Sequence, residues 1–143
     1  MWQNQETAAM LGFGAVHPQT PMSFLDRVTE GLSVAALDRV ARTVAPDDSG
    51  FRYRIVSKTT LARRSKQHDT RLSAEESERL VRLADVWGMA LDVWKSAAAA
   101  RAFLFRPHAM LHGRVPIDVV LQAEVGARIV RDILGGLLYG VAV

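Results

Sequence analysis

The sequence predicts an all-α fold, and three observations carry that expectation. Leu37, Val40, Ala41 and Val44 recur at three- and four-residue steps, the period of one helix face. A longer stripe, Leu80, Leu83, Ala84, Trp87, Ala90, Leu91 and Trp94, follows Ser73-Ala74-Glu75-Glu76. That tetrad is a capping box, in which the serine and the second glutamate each satisfy a backbone N–H at the helix start. A third stripe, Val125, Ile129, Val130, Ile133, Leu134, Leu137 and Leu138, lies near the C-terminus.

Taken in order, residues 1–21 hold Gly12, Gly14, Pro18 and Pro21 without a sustained period. They read as a flexible N-terminal segment, in which Met10, Leu11 and Phe13 retain the capacity to pack. Ser23 is placed to cap a short helix carrying Phe24, Leu25 and Val28 and stopped by Gly31. Ser33 caps the next helix, Pro46 ends it, and Asp47 to Gly50 form a turn. Phe51, Tyr53 and Ile55 alternate with Arg52 and Arg54, which fits either a strand or one helical turn; the helical neighbours favour the turn. Ser57 caps a helix from Lys58 to about Gln67, with Leu61 and Ala62 expected inward. His68 to Thr70 form a loop. In the long helix after the capping box, Glu75–Arg79 and Glu78–Arg82 are i,i+4 pairs worth roughly 0.2–0.5 kcal/mol each. Ala97 to Phe105 forms a further helix, ended near Pro107. His108 to Val115 connect it to a helix that Pro116 opens. Gly135 and Gly136 weaken the last turns of the final helix.

A chain of 143 residues suits one compact domain or two small ones sharing a core. With 49% hydrophobic and 23% charged residues it is globular in composition. The absence of cysteine rules out disulfides and cysteine-ligated zinc and fits a reducing, cytoplasmic setting. No 18-residue apolar run is present, and the N-terminus lacks the pattern of a secretory signal, so no membrane association is expected. The net charge of +3 is unevenly placed. Between Phe51 and Arg71 seven basic residues face the single acid Asp69, a local net of +6 that leaves −3 for the remainder. Such a basic centre suggests a polyanion contact, and a solvated basic face is its plain alternative.

The order of a helix, a short turn-bearing segment and a Ser-capped basic helix resembles a helix-turn-helix. Lys58, Thr59, Thr60, Arg63, Arg64 and Lys66 are then the candidates for phosphates or base edges in the major groove. Catalytic residues are not identified: no phosphate-binding glycine loop, nucleophile elbow or triad is present. His108 and His112 have the four-residue spacing of two metal ligands on a helix, but Pro107 and Gly113 interrupt that helix and no third ligand is evident. No metal or cofactor is therefore expected. Leu137, Leu138, Tyr139 and Val141 near the C-terminus fit either core closure or an element that docks into a partner's cleft.

From about Gly31 onward the chain resembles the Xre-type antitoxins that pair with RES-domain toxins, the family of the MbcA and ParS antitoxins. Thr59-Thr60-Leu61-Ala62-Arg63-Arg64 is similar to the basic helix of that family, and Arg71-Leu72-Ser73-Ala74-Glu75-Glu76-Ser77-Glu78-Arg79-Leu80 to its signature junction. Ala100-Arg101-Ala102-Phe103-Leu104 with Pro107, Leu111-His112-Gly113-Arg114-Val115-Pro116-Ile117-Asp118, and Glu124-Val125-Gly126-Ala127-Arg128 continue the pattern to Leu134–Gly140. Phe103 stands where the family usually has tryptophan. Pro46 to Val56 replace a regular second helix, and residues 1–21 match nothing in the pattern.

The resemblance implies a non-enzymatic antitoxin of a type II system. Residues 22–71 would be an Xre-like helix-turn-helix and dimerisation region, and 72–143 a toxin-binding domain. The partner would be a RES-domain toxin that consumes NAD or transfers ADP-ribose from it. Gly113, Arg114, Leu138, Tyr139, Gly140, Val141, Ala142 and Val143 would meet the toxin, the last six obstructing its NAD site. The N-terminal part would pair antitoxins and bind the promoter of its own operon, giving a homodimer or a larger toxin–antitoxin hetero-oligomer. A stand-alone helix-turn-helix regulator without a toxin partner is the competing expectation.

Overall fold

A computed structural model of the chain describes residues 5–13 and 20–140. Among the described residues every regular element is helical, and the extended pairing is an isolated bridge between Ser33 and Arg71. The α-helices are α1 (Gln5–Met10), α2 (Pro21–Glu30), α3 (Val34–Val44), α4 (Lys58–Lys66), α5 (Ala74–Trp94), α6 (Ala97–Leu104), α7 (Pro116–Gln122) and α8 (Glu124–Leu138), with 3-10 turns at Phe51–Arg54 and Ala109–Leu111. No helix is long and apolar enough to cross a membrane among these residues. The chain forms two compact units, Met1–Ala84 and Asp85–Val143. Their division falls inside α5, whose first turns are bonded to the N-terminal unit.

In the N-terminal unit, Thr20 caps α2 by accepting the Ser23 N–H, and Pro21 occupies the first turn. The cap is thus Thr20, three residues before the Ser23 expected from sequence; proline cannot donate, so it suits a position whose N–H has no helical partner. Gly31 ends α2 at φ +102, and a Cβ there would lie 2.2 Å from the Leu72 carbonyl oxygen. This close approach lets the chain after α4 return against the start of α3. Leu72 donates to Leu32 O and Val34 to Thr70 O, both at 2.8 Å. Ser33 caps α3, whose inward face is Ala36, Leu37, Val40, Ala41 and Val44, as the stripe predicts. The expectation of a flexible N-terminal segment is corrected over residues 5–13. Helix α1 packs on α3; Ala8, Leu11 and Phe13 are buried, Phe13 meets Phe24 edge-on, and Arg39 Nε donates to Met10 O at 3.2 Å. Composition misses this helix because it is short and owes its stability to tertiary burial.

In the C-terminal unit, Lys95 takes a left-handed conformation (φ 61) and Ser96 caps α6, accepting the Ala99 N–H at 3.1 Å. Helices α7 and α8 pack closely because Gly126 lies against α7. A Cβ on Gly126 would be 2.0 Å from Val119 O. Buried Ala127, Val130, Ile133 and Leu134 form the inward face of α8. Val125, Ile129, Leu137 and Leu138 of the predicted stripe are exposed instead, since seven apolar positions make a stripe broader than one packed face.

Candidate functional site

The basic helix forms as expected. Ser57 Oγ accepts the Thr60 N–H at 3.2 Å and donates to Thr60 Oγ1 at 2.8 Å. Leu61 alone is buried on α4. Thr59, Ala62, Arg63 and Lys66, spaced as one helix face, are exposed, and so is Lys58. Ala62 therefore points outward, contrary to the expectation from sequence. Thr60 is occupied with the cap. Arg64 sits on the other flank, where Nη1 lies 2.5 Å from Glu76 Oε1 and the two side chains are only 11% and 15% exposed. The six candidate residues thus separate into a solvent-facing set and two, Thr60 and Arg64, with internal partners.

The first turns of α5 hold this region in place. Ser73 and Glu76 exchange the capping-box bonds at 2.8 and 3.1 Å. The buried Ser77 hydroxyl accepts the Leu32 N–H at 2.8 Å. Arg79 Nη1 donates to Ile55 O at 2.5 Å and Nη2 meets Glu75 at 3.5 Å. Burial pushes the Glu76 carboxyl up, but the Arg64 hydrogen bond, the Ser73 N–H and the Arg64 charge outweigh it and hold its pKa below the ordinary glutamate value. The Glu75–Arg79 pair forms as the sequence predicts, whereas the bonds of Ser77 to Leu32 and of Arg79 to Ile55 join residues distant in sequence and carry no local signal.

The stretch Phe51–Val56 resolves as a 3-10 turn followed by Ile55 and Val56. Phe51, Ile55 and Val56 are buried, while Tyr53 and Arg54 are exposed. Arg52 reaches Asp38 at 3.0 Å.

In the C-terminal unit, Phe103 is buried between Trp94 and His108, with ring centroids at 5.9 and 5.7 Å. Phenylalanine fills this position without the indole N–H that would need a partner. His108 Nδ1 accepts the Met110 N–H, and His112 adopts φ 56 beyond the 3-10 turn, so the two histidines do not share a helix face. No cluster of three or more metal-ligating side chains occurs among the described residues. Gly113 (φ +82) and Arg114 are exposed on this loop. Leu138 ends α8, Tyr139 is 78% exposed, and Gly140 is left-handed at φ +69. Val141, Ala142 and Val143 lie outside the described residues. Asp85 meets Arg131 at 3.2 Å, and the same guanidinium bonds Glu124. Burial raises the Asp85 pKa; Arg131 opposes that shift without cancelling it, and Glu124 adds to it.

Comparison with known proteins places both units. Residues 23–85 match the antitoxin Xre-like helix-turn-helix domain, and residues 89–140 the antitoxin Xre/MbcA/ParS C-terminal toxin-binding domain. Antitoxin Xre of Yersinia enterocolitica serotype O:8 / biotype 1B is 32% identical over 119 residues, which are 82% of this chain and 79% of that protein. The resemblance carried by the basic helix, the junction and the C-terminal motifs is borne out. The order of a helix-turn-helix and a toxin-binding domain is that of a non-enzymatic protein that holds a cognate toxin through its C-terminal part. The chain belongs to the Xre/MbcA/ParS family of type II antitoxins.

Proposed function

We propose that this antitoxin neutralises a RES-domain toxin that consumes NAD, or transfers ADP-ribose from it, by laying Leu138 to Val143 across the toxin's NAD site. The observation that carries this reading is the end of α8. Leu138 and Tyr139 present apolar surface to solvent, and a Cβ at left-handed Gly140 would meet nothing within 4 Å. An apolar element with open space around it can enter a cleft without first being extracted from its own core. Gly113 and Arg114, exposed on the loop after α6, supply a second contact, with Arg114 available to an acidic group of the toxin. Co-expression with the adjacent RES-type reading frame, purification through one tagged partner and an NAD-turnover assay test this. A complex with turnover abolished is expected; a stable complex that turns over NAD at the rate of free toxin would overturn the occlusion.

The same protein represses its own promoter through α4, acting in the cytoplasm with its toxin. Thr59, Ala62, Arg63 and Lys66 form an outward face on which a small residue sits among hydrogen-bond donors. Ala62 permits close approach to the groove floor and contact with a thymine methyl, while Arg63 and Lys66 reach guanine edges or phosphates. Pairing of two antitoxins, alone or within a toxin–antitoxin hetero-oligomer, would present two such helices to two half-sites. Light scattering of the purified chain and complex gives the stoichiometry.

A further inference from the structure

We propose that the 3-10 turn Phe51–Arg54 is a second phosphate-binding element, in which Tyr53 and Arg54 act with Lys58 on the DNA backbone. The inference rests on the reading of α4 as the DNA-facing helix and extends that contact to a segment with no assigned role.

Three observations carry it. First, the turn is rigidly held. Phe51, Ile55 and Val56 are buried beneath it, Arg79 donates to Ile55 O, and Asp38 fixes Arg52 at 3.0 Å. A charged turn on such a base loses little conformational entropy on binding. Second, Tyr53 gathers cations from two elements. Arg52 Cζ lies 5.4 Å and Lys58 Nζ 5.7 Å from its ring centroid. Lys58 is the first residue of α4, so the turn and the helix N-terminus form one basic surface. The negative ring face tolerates two neighbouring positive charges, and Asp38 already offsets that of Arg52, which leaves the Lys58 charge for an anion. Third, Arg54 and Tyr53 are exposed, the tyrosine at 39%. The surface is open to a ligand.

A duplex backbone fits this surface better than an acidic protein does. The N-terminal end of a recognition helix is the part that enters the groove, and the segment preceding it runs beside the backbone. Contacts of this kind fix register and orientation without reading sequence.

The test is fluorescence anisotropy with the purified toxin–antitoxin complex across a salt series. The probes are a labelled duplex from upstream of its own reading frame and a scrambled duplex of equal length. Arg54→Ala is expected to lower the slope of log K against log[salt] by about 1 on both duplexes, the signature of one lost phosphate contact. Tyr53→Ala should weaken binding several-fold, and Tyr53→Phe, which keeps the ring, should retain most of it. Arg63→Ala is the reference for α4. If Arg63→Ala loses affinity while Arg54→Ala and Tyr53→Ala bind with unchanged slope and affinity, the turn is not a phosphate site and the α4 reading stands. If neither the wild-type complex nor any variant binds either duplex, both readings fail. If Arg54→Ala leaves DNA binding intact but weakens the toxin complex, the surface serves the toxin and the proposal is overturned.

Discussion

Arg64 and Glu76 form an ion pair that joins the basic helix to the helix after it. Glu76 accepts the Ser73 N–H with the oxygen that Arg64 approaches, so one carboxylate closes a capping box and anchors α4. Breaking the pair from either side leaves a largely buried group without its charge partner. Arg64→Ala and Glu76→Gln are each expected to cost about 1–3 kcal/mol of stability, read by urea denaturation. Arg64→Ala should leave the salt slope of DNA binding unchanged, whereas Arg63→Ala should lower it by about 1. A lowered slope for Arg64→Ala would make it a phosphate contact after all.

The pH dependence of this pair has a definite sign. The folded pKa of Glu76 is depressed, so its contribution is complete above the ordinary glutamate pKa of about 4.3 and is lost as pH falls through the lower folded value. Wild-type stability should therefore fall more steeply on acidification than that of Glu76→Gln. Parallel curves for the two proteins would show that the pair contributes nothing.

Asp85 behaves oppositely. Its folded pKa is raised, so the folded state binds the proton more tightly and stability is gained as pH falls through the raised value. Asp85→Asn retains a hydrogen-bond acceptor for Arg131 and removes the charge. The side chain is 40% exposed, so the change at neutral pH should stay within about 0.5 kcal/mol. The stability gained by the wild type on acidification should be missing from the variant. A loss well beyond that range would mean that the Asp85–Arg131–Glu124 cluster is held by the Asp85 charge.

What was legible in the sequence follows from the range of each interaction. Ser33, Ser57 and Ser73 with Glu76 act within one helical turn, and all three caps stand where the sequence put them. The inward face of α3 follows from its period for the same reason. Ala62 faces outward against expectation because in a nine-residue helix with one buried position, Leu61, small apolar residues carry little directional signal. Arg64 looked like its neighbour Arg63, and only the return of the chain through Leu72 brings Glu76 against it. The helix over residues 5–10 and the contact between Gly126 and Val119 O depend on partners that no local pattern reveals.

That glycine contact carries a prediction of its own. Gly126→Ala places a methyl group where Val119 O already stands, and a backbone atom cannot rotate away. Helices α7 and α8 must separate, at a cost of about 1–3 kcal/mol. Calorimetry should show a lower melting temperature, and the toxin should be bound more weakly because the surface is displaced. Gly135→Ala, where a Cβ meets nothing within 4 Å, should instead be neutral or stabilising through helix propensity. Equal effects at the two positions would contradict the close packing of α7 on α8.

The occlusion proposal makes the sharpest separation between fold and function. Tyr139 is 78% exposed, and the buried face of α8 ends at Gly136. Removing Tyr139 to Val143 therefore takes away no buried side chain among the described residues, and the melting temperature should move by no more than a few degrees. Neutralisation should nevertheless fail. Cells expressing the toxin with the truncated antitoxin are expected to stop growing, while the truncated protein still co-purifies with the toxin through the rest of its C-terminal unit. Retained binding with lost protection is the combination that only occlusion explains, since a merely structural tail would lose both together. Full protection by the truncated chain would place the blockade elsewhere on the unit, with the loop bearing Gly113 and Arg114 as the next segment to alter.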